Sequence, residues 1–256
     1  MPTTIADVSR ARYDEWHAQH PVDAEADAPW HRMIRARLDP SRDLEGRRVL
    51  DIGCGRGGFA AWLARHPAVP AEIVGCDFSA VAVEKARTFA EAAGLRRVRF
   101  EAADIQALTQ FPDGTFDTVF SCETIEHVPD PPRAVRELVR VLKPGGRLFL
   151  STPNYFSTIG LYRVYCWLRG KTFDEGGQPI CQVNMTMITR RWAREAGLTG
   201  IEVVGSGHYL PIPGRPPLTL PWLEQPAIVM KWLAHHSLIV GEKAAAHADA
   251  SGTVQD

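Results

Sequence analysis

Hydrophobic positions along this chain switch between two spacings, and the switching predicts its elements. From Arg47 the run RRVLDIG is short, apolar and closed by glycine, and the FAAWLARH segment after it reads as a helix. AEIVGCDFS is a second short strand. In the following SAVAVEKARTFAEAAG, Ser79 is placed to cap a helix, Ala82, Ala86, Phe89, Ala90 and Ala93 form its inner face, and Gly94 ends it. VRFEAAD and FDTVFSC predict a third and a fourth strand. DPPRAVRELVRVLKPGG carries its own boundaries. Asp130 caps, the prolines suit a first turn, and Ala134, Val135, Leu138, Val139 and Leu142 recur at helical spacing. Pro144-Gly145-Gly146 then turns the chain into a fifth strand, RLFLSTP, and two more strands are expected near 201–205 and 238–242. Strands alternating with helices at this spacing imply βαβ units, hence an α/β fold on a doubly wound, mostly parallel sheet.

Three regions stand outside the alternation. Residues 1–45 read as a polar helical cap whose inward contacts are Tyr13, Trp16, Trp30, Met33, Ile34 and Leu38. Residues 153–185 and 207–236 are rich in aromatics, proline and glycine, and loops of that length in a compact domain are usually functional covers. The second includes Trp222, Leu223, Ile228, Val229, Trp232 and Leu233, which suit a short helix over the sheet edge, an apolar substrate mouth or a weak membrane-surface contact. The main α/β domain is therefore expected at 46–243, and the tail 244–256 is expected to be disordered.

Composition narrows the partners. The formal net charge is −1 and Lys and Arg are spread out, so the chain lacks the basic stripe of a protein that tracks nucleic acid. Its five cysteines form no CxxC pair and no metal spacing, and no secretory core precedes them. This predicts reduced thiols, no metal and a cytoplasmic location. No apolar run is long enough to span a bilayer.

The densest chemical signal is VLDIGCGRGGFA, with Gly53, Gly55 and Gly58 at GxGxxG spacing between a strand and a helix. Asp77 closes the next strand, where a carboxylate can accept both hydroxyls of a ribose. Together they predict a nucleoside-containing ligand. Asp51, just before the glycines, adds a charge that repels pyrophosphate and suits a ligand with cationic groups.

In LDIGCG, GCDFS, EAADI and FDTVFSCETIEHVPDP…LVRVLKPGGRLFLSTPN, taken in that order over about residues 47–154, the chain resembles the class I S-adenosylmethionine-dependent methyltransferases. The resemblance is to the branch that includes quinone-biosynthesis enzymes. It implies a Rossmann-like seven-stranded sheet with an antiparallel last strand, N-terminal helices and inserted lids, and S-adenosylmethionine as cofactor. It implies cofactor contacts from Asp51, Gly53, Gly55, Asp77, Phe78, Asp104, Ile105 and Cys122, with Tyr13 folding over from the N-terminal helix.

Methyl transfer from a sulfonium is an in-line displacement that needs alignment, exclusion of water and, for some acceptors, loss of a proton. His127, six residues past the fourth strand, is the candidate general base, and its alternative role is to tie down its loop. Glu123, His127, Asn154, Tyr155 and His208 lie where an acceptor pocket is expected. The expected reaction is methylation of a small molecule, with oxygen favoured over nitrogen or carbon. A cofactor-binding module without turnover and a nicotinamide-dependent oxidoreductase are the competing readings.

Overall fold

The computed structural model describes residues 5–23, 25–173, 182–210, 212, 218–220, 223 and 230–245. The chain begins with helices α1 (Ile5–Gln19), α2 (Pro29–Arg35) and α3 (Pro40–Asp43). It then runs through β1 (Arg48–Ile52), α4 (Gly58–Ala64), β2 (Glu72–Asp77), α5 (Ala80–Ala92), β3 (Val98–Ala102), β4 (Phe116–Cys122), α6 (Pro131–Val141) and β5 (Leu142–Pro153). After these come α7 (Thr158–Leu168), α8 (Thr186–Glu195), β6 (Leu198–Ser206), a small ladder of β7 (Tyr209–Leu210) with β8 (Leu218–Thr219), and β9 (His236–Lys243). The sheet order is β3-β2-β1-β4-β5-β9-β6, and β9 is antiparallel to both of its neighbours. The seven-stranded, mostly parallel, Rossmann-like arrangement read from the sequence is the one found.

The chain winds outward from β1 through β2 to β3, then returns to place β4 on the other side of β1. Side connections therefore diverge between β1 and β4, leaving a crevice at their C-terminal ends, which is where open α/β sheets bind ligands. Period-two burial covers both faces. Leu50, Ile52, Val119 and Leu148 pack with Leu138 and Val139 of α6 on one side, while Val49, Phe120 and Phe149 pack with Leu63 of α4 and Val83 of α5 on the other. Burying each large apolar side chain contributes roughly 1.5–3 kcal/mol.

Several local expectations hold in atomic detail. The Ser79 hydroxyl accepts the Ala82 amide at 3.1 Å, and Asp130 accepts that of Arg133 at 3.0 Å. On α5 the buried face takes in Val83, whereas Ala93 is an exposed C-cap residue. Leu142 is buried as predicted but opens β5 instead of closing α6. The KPGG turn becomes a register shift within the strand, where a side chain on Gly146 would lie 2.8 Å from the Asp117 carbonyl.

The segment 153–185 is not loop throughout: α7 occupies its first half, capped by Ser157, whose hydroxyl accepts the Ile159 amide. Its helical period was masked because apolar residues surround it, with Ile159 and Cys166 buried and Leu161 and Trp167 exposed. Trp222, Ile228, Val229 and the tail from residue 246 lie outside the described residues. In the N-terminal region, Met33, Ile34 and Leu44 enter the core beside β1, and Asp43 pairs with Arg147 of β5 at 2.5 Å. Tyr13 and Trp16 point elsewhere, into a cavity. No described helix is long and apolar enough to cross a membrane.

Candidate active site

A cavity of about 460 Å³ opens at the C-terminal ends of β1, β2 and β4, within the usual range for small-molecule sites. The glycine loop forms its floor. Gly53 has φ +75°, and a side chain there would collide with the Thr124 hydroxyl at 2.1 Å. Gly58 is required for a different reason: the backbone carbonyl of Asp23 crosses 1.9 Å from where its Cβ would lie. The loop is thus pinched between the β4 connection and the segment after α1.

Asp77 links this loop to α5. One carboxylate oxygen accepts the Gly55 amide at 2.8 Å and the other accepts the Ser79 amide at 2.9 Å. Burial raises its pKa, and the two amide bonds oppose that shift. Each oxygen keeps a further lone pair for a ribose hydroxyl. Phe78, Asp104 and Ile105 continue this wall, with Asp104 accepting the Gln106 amide at 2.8 Å and the guanidinium of Arg10 lying 4.5 Å over the Phe78 ring.

Helix α1 closes the side above the loop, contributing Ser9, Tyr13, Trp16 and His17. Two contacts hold it down. Asp14 accepts the hydroxyl of Ser79, and the Lys85 ammonium donates to the carbonyls of His17 (2.8 Å), Ala18 (2.7 Å) and His20 (3.2 Å) at the helix end. His17 is buried and its Nδ1 lies 2.9 Å from an Arg56 nitrogen. Arginine only donates, so Nδ1 accepts and the ring proton sits on Nε2, 4.0 Å from Asp77. Burial, then the Arg56 charge, lowers the His17 pKa to about 4, leaving the ring neutral near pH 7.

The far wall comes from β4 and its following turn: Cys122, Glu123, Thr124 and His127. The His127 ring is 5.9 Å from that of Tyr13, and its Nε2 is 3.5 Å from the buried Glu126 carboxylate, which accepts the Thr152 hydroxyl at 3.2 Å. Burial drives the Cys122 thiol well above its ordinary pKa, so that side chain is a neutral wall group.

Four predicted residues lie off this cavity. Asn154 is fully buried: its amide donates to the carbonyls of Trp232 (2.8 Å) and Ala234 (3.0 Å), and its oxygen accepts the Phe156 amide at 3.2 Å. It ties the end of β5 to the chain entering β9 and has no face toward an acceptor. His208 is likewise buried, with Nε2 3.0 Å from the Met230 carbonyl. Tyr155 lines a separate apolar groove of about 830 Å³ with Phe156, Leu161, Val164 and Trp167. Asp51 is behind the glycine loop, with one oxygen buried and unpaired; burial, then the charge of Asp77, lifts its pKa to about 7. Conversely, His17 and His31 line the cavity without having been singled out, and Trp30, expected only as an inward contact of the cap, lines it as well.

The wall suits the cofactor expected from the sequence. Its acids are Asp23, Asp77, Asp104 and Glu123, and its cation Arg56 is already engaged with Pro21 at 2.6 Å and with His17. Such a set of acceptors fits ribose hydroxyls, an adenine amino group and positively charged centres, and disfavours a pyrophosphate. No group of three metal-ligating side chains occurs among the described residues.

The family model described as "Methyltransferase domain" matches residues 50–150. A ubiquinone biosynthesis O-methyltransferase of Coxiella burnetii is 34% identical over 193 residues, covering 72% of this chain and 78% of that protein. The methyltransferase GfsG of Streptomyces halstedii is 39% identical over 142 residues, covering 54% of this chain and 49% of its own. Among solved structures, an S-adenosylmethionine-dependent methyltransferase of Thermotoga maritima superposes with a TM-score of 0.60 at 21% identity, covering 91% of this chain and 95% of that one.

Proposed function

The chain belongs to the class I S-adenosylmethionine-dependent methyltransferases, and from that premise we propose that it methylates a hydroxyl oxygen of a small molecule, with His127 taking the hydroxyl proton. Its cofactor is S-adenosylmethionine, which when bound supplies an electrophilic methyl group on a sulfonium. Asp77, Phe78, Asp104 and Ile105 would hold the nucleoside part. The glycine loop, Cys122 and, from behind, Asp51 would hold the amino-acid part, and Tyr13 would cover it.

The observation that carries the oxygen assignment is the His127–Glu126 pair in the cavity wall. An alcohol or phenol must lose its proton as it is methylated, and a neutral imidazole oriented by a carboxylate is suited to accept it. Glu126 is buried and anchored by Thr152, so it orients the ring without competing for the proton in solvent. The similarity to a protein named a ubiquinone biosynthesis O-methyltransferase supports the same acceptor atom. Tyr13 and Trp16 line the cavity and add aromatic surface to its wall.

The test is direct. Calorimetric titration with S-adenosylhomocysteine is followed by a screen of phenols, alcohols and amines with methyl-labelled S-adenosylmethionine, locating the label by mass spectrometry. Label on oxygen supports the reading. Label only on nitrogen or carbon overturns it.

A further inference from the structure

Glu123 sits in the same cavity and is not used by the mechanism above. It is the residue directly after β4, and its backbone is left-handed, φ +47°, a conformation strained for a non-glycine residue. That geometry is held firmly, because its amide donates to both the carbonyl (3.1 Å) and the hydroxyl (3.2 Å) of Ser151 on β5. The side chain is turned inward, only 13% exposed, and its two oxygens differ. Oε2 accepts from His236 Nδ1 at 3.1 Å, at the start of β9, whereas Oε1 is buried and has no hydrogen-bond partner among the described residues. His236 in turn packs on the Trp30 ring of α2, with centroids 5.3 Å apart.

A buried carboxylate oxygen without a donor has lost its hydration and gained nothing in exchange, which is costly. Here a strained residue that lines the ligand cavity keeps that oxygen just beneath the cavity surface. A methionyl carboxylate would be repelled there, and the proposed base lies four residues further on. We infer that Glu123, oriented by His236, binds the acceptor by accepting a hydrogen bond from a second O–H or N–H group, one other than the atom that is methylated. Glu123 contacts the acceptor, and His236 is a positioning residue acting through it. The pair fixes which of two donor groups faces His127 and which is held aside. This assignment rests on the oxygen-acceptor reading and adds a selectivity to it.

The probes are phenol, 2-methoxyphenol, catechol and 2-aminophenol, given to the wild-type protein and to Glu123→Ala, Glu123→Gln and His236→Ala. In the wild type the two probes with a second donor react at least tenfold more efficiently, in kcat/KM, than the two without. Glu123→Ala abolishes that preference, chiefly through KM, with S-adenosylhomocysteine affinity unchanged. Glu123→Gln, which keeps an acceptor oxygen, retains part of it, and His236→Ala lowers it. Comparison of catechol with 2-aminophenol distinguishes a hydroxyl from an amine as the second donor. A preference that survives Glu123→Ala overturns the inference, as does loss of S-adenosylhomocysteine affinity in that variant, which would place Glu123 on the cofactor. If no probe or screened alcohol is methylated on oxygen while S-adenosylhomocysteine still binds, the oxygen reading fails, and this inference with it. A Glu123→Ala protein that does not fold is replaced by Glu123→Gln with His236→Ala, for which an unaltered preference in both is the overturning result.

Discussion

The rings of Tyr13 and His127 lie 5.9 Å apart at a tilt of 56°, joining the first helix of the chain to the turn after β4. The contact spans the cavity between the wall expected to hold cofactor and the wall proposed to deprotonate the acceptor. A base held this way is positioned by Glu126 on one side and an aromatic edge on the other.

His127→Ala is accordingly expected to lower kcat by roughly 10²-fold or more, the usual contribution of a positioned base, while leaving S-adenosylhomocysteine affinity nearly unchanged. Single-turnover rates across pH 5 to pH 9 provide the check. A variant with full rate across that range assigns His127 to tying down its loop.

Asp77→Ala should weaken S-adenosylhomocysteine binding by at least about tenfold, since it removes two charge-assisted bonds that shape the site along with the proposed ribose acceptor. Asp77→Asn keeps one acceptor oxygen and should fall between. Calorimetry alongside circular dichroism separates lost affinity from lost fold, and near-normal affinity in the alanine variant removes Asp77 from the cofactor site.

Lys85→Met should loosen α1. Three carbonyls at the end of that helix lose their donor, so faster amide exchange confined to residues 9–20 is expected, with a stability loss of about 1–2 kcal/mol. S-adenosylhomocysteine affinity should drop with it, because α1 covers the cavity. Unchanged exchange would mean Asp14 and Ser79 suffice to hold the helix.

Acid should unfold the protein through its buried histidines. His17 and His31 both fall to about 4 from an ordinary value near 6.5, with burial the largest cause. A depressed pKa means that the unfolded chain takes up protons first, so this stability is complete above about pH 6.5 and is lost as pH falls towards about 4. Asp51 works in the opposite sense. Its raised pKa, about 7, makes the folded state hold the extra proton, and stability declines as pH rises from about 4 to 7. Thermal melts should show His31→Gln flattening the acid limb, and Asp51→Asn gaining on the wild type as pH rises from 5 to 8. An unchanged slope in either variant refutes its assigned pKa.

What could be read from the sequence divides by distance along the chain. The caps at Ser79 and Asp130 depend on neighbours three positions away, and the glycine loop and Asp77 announce themselves by motif spacing, so local pattern was enough to find them. The acceptor side depends on contacts between distant segments. Asn154 follows β5 where a pocket residue was expected, but its amide is consumed by carbonyls 78 and 80 positions later. His236 reaches Glu123 across 113 positions, and no motif surrounds either histidine of that wall, His31 or His236. Pro29 at the first turn of α2 and Arg32 and Arg35 in its last are the local marks of the helix that carries Trp30 and His31. Helix α7 failed for a different reason: with Leu161 and Trp167 exposed beside buried Ile159, it has no polar face for a period to appear in.

The placement of β9 sets an order of assembly. Strand β6 is synthesised about thirty residues earlier, yet it pairs only with β9, which slots between it and β5. Until that last strand emerges, β6 has no seat on the sheet and its edge stays unpaired. His236 is the first residue of the same strand. Completion of the sheet and arrival of the histidine beside Glu123 are therefore one event, so a nascent chain can build the glycine-loop half of the sheet before the wall proposed to hold the acceptor is complete.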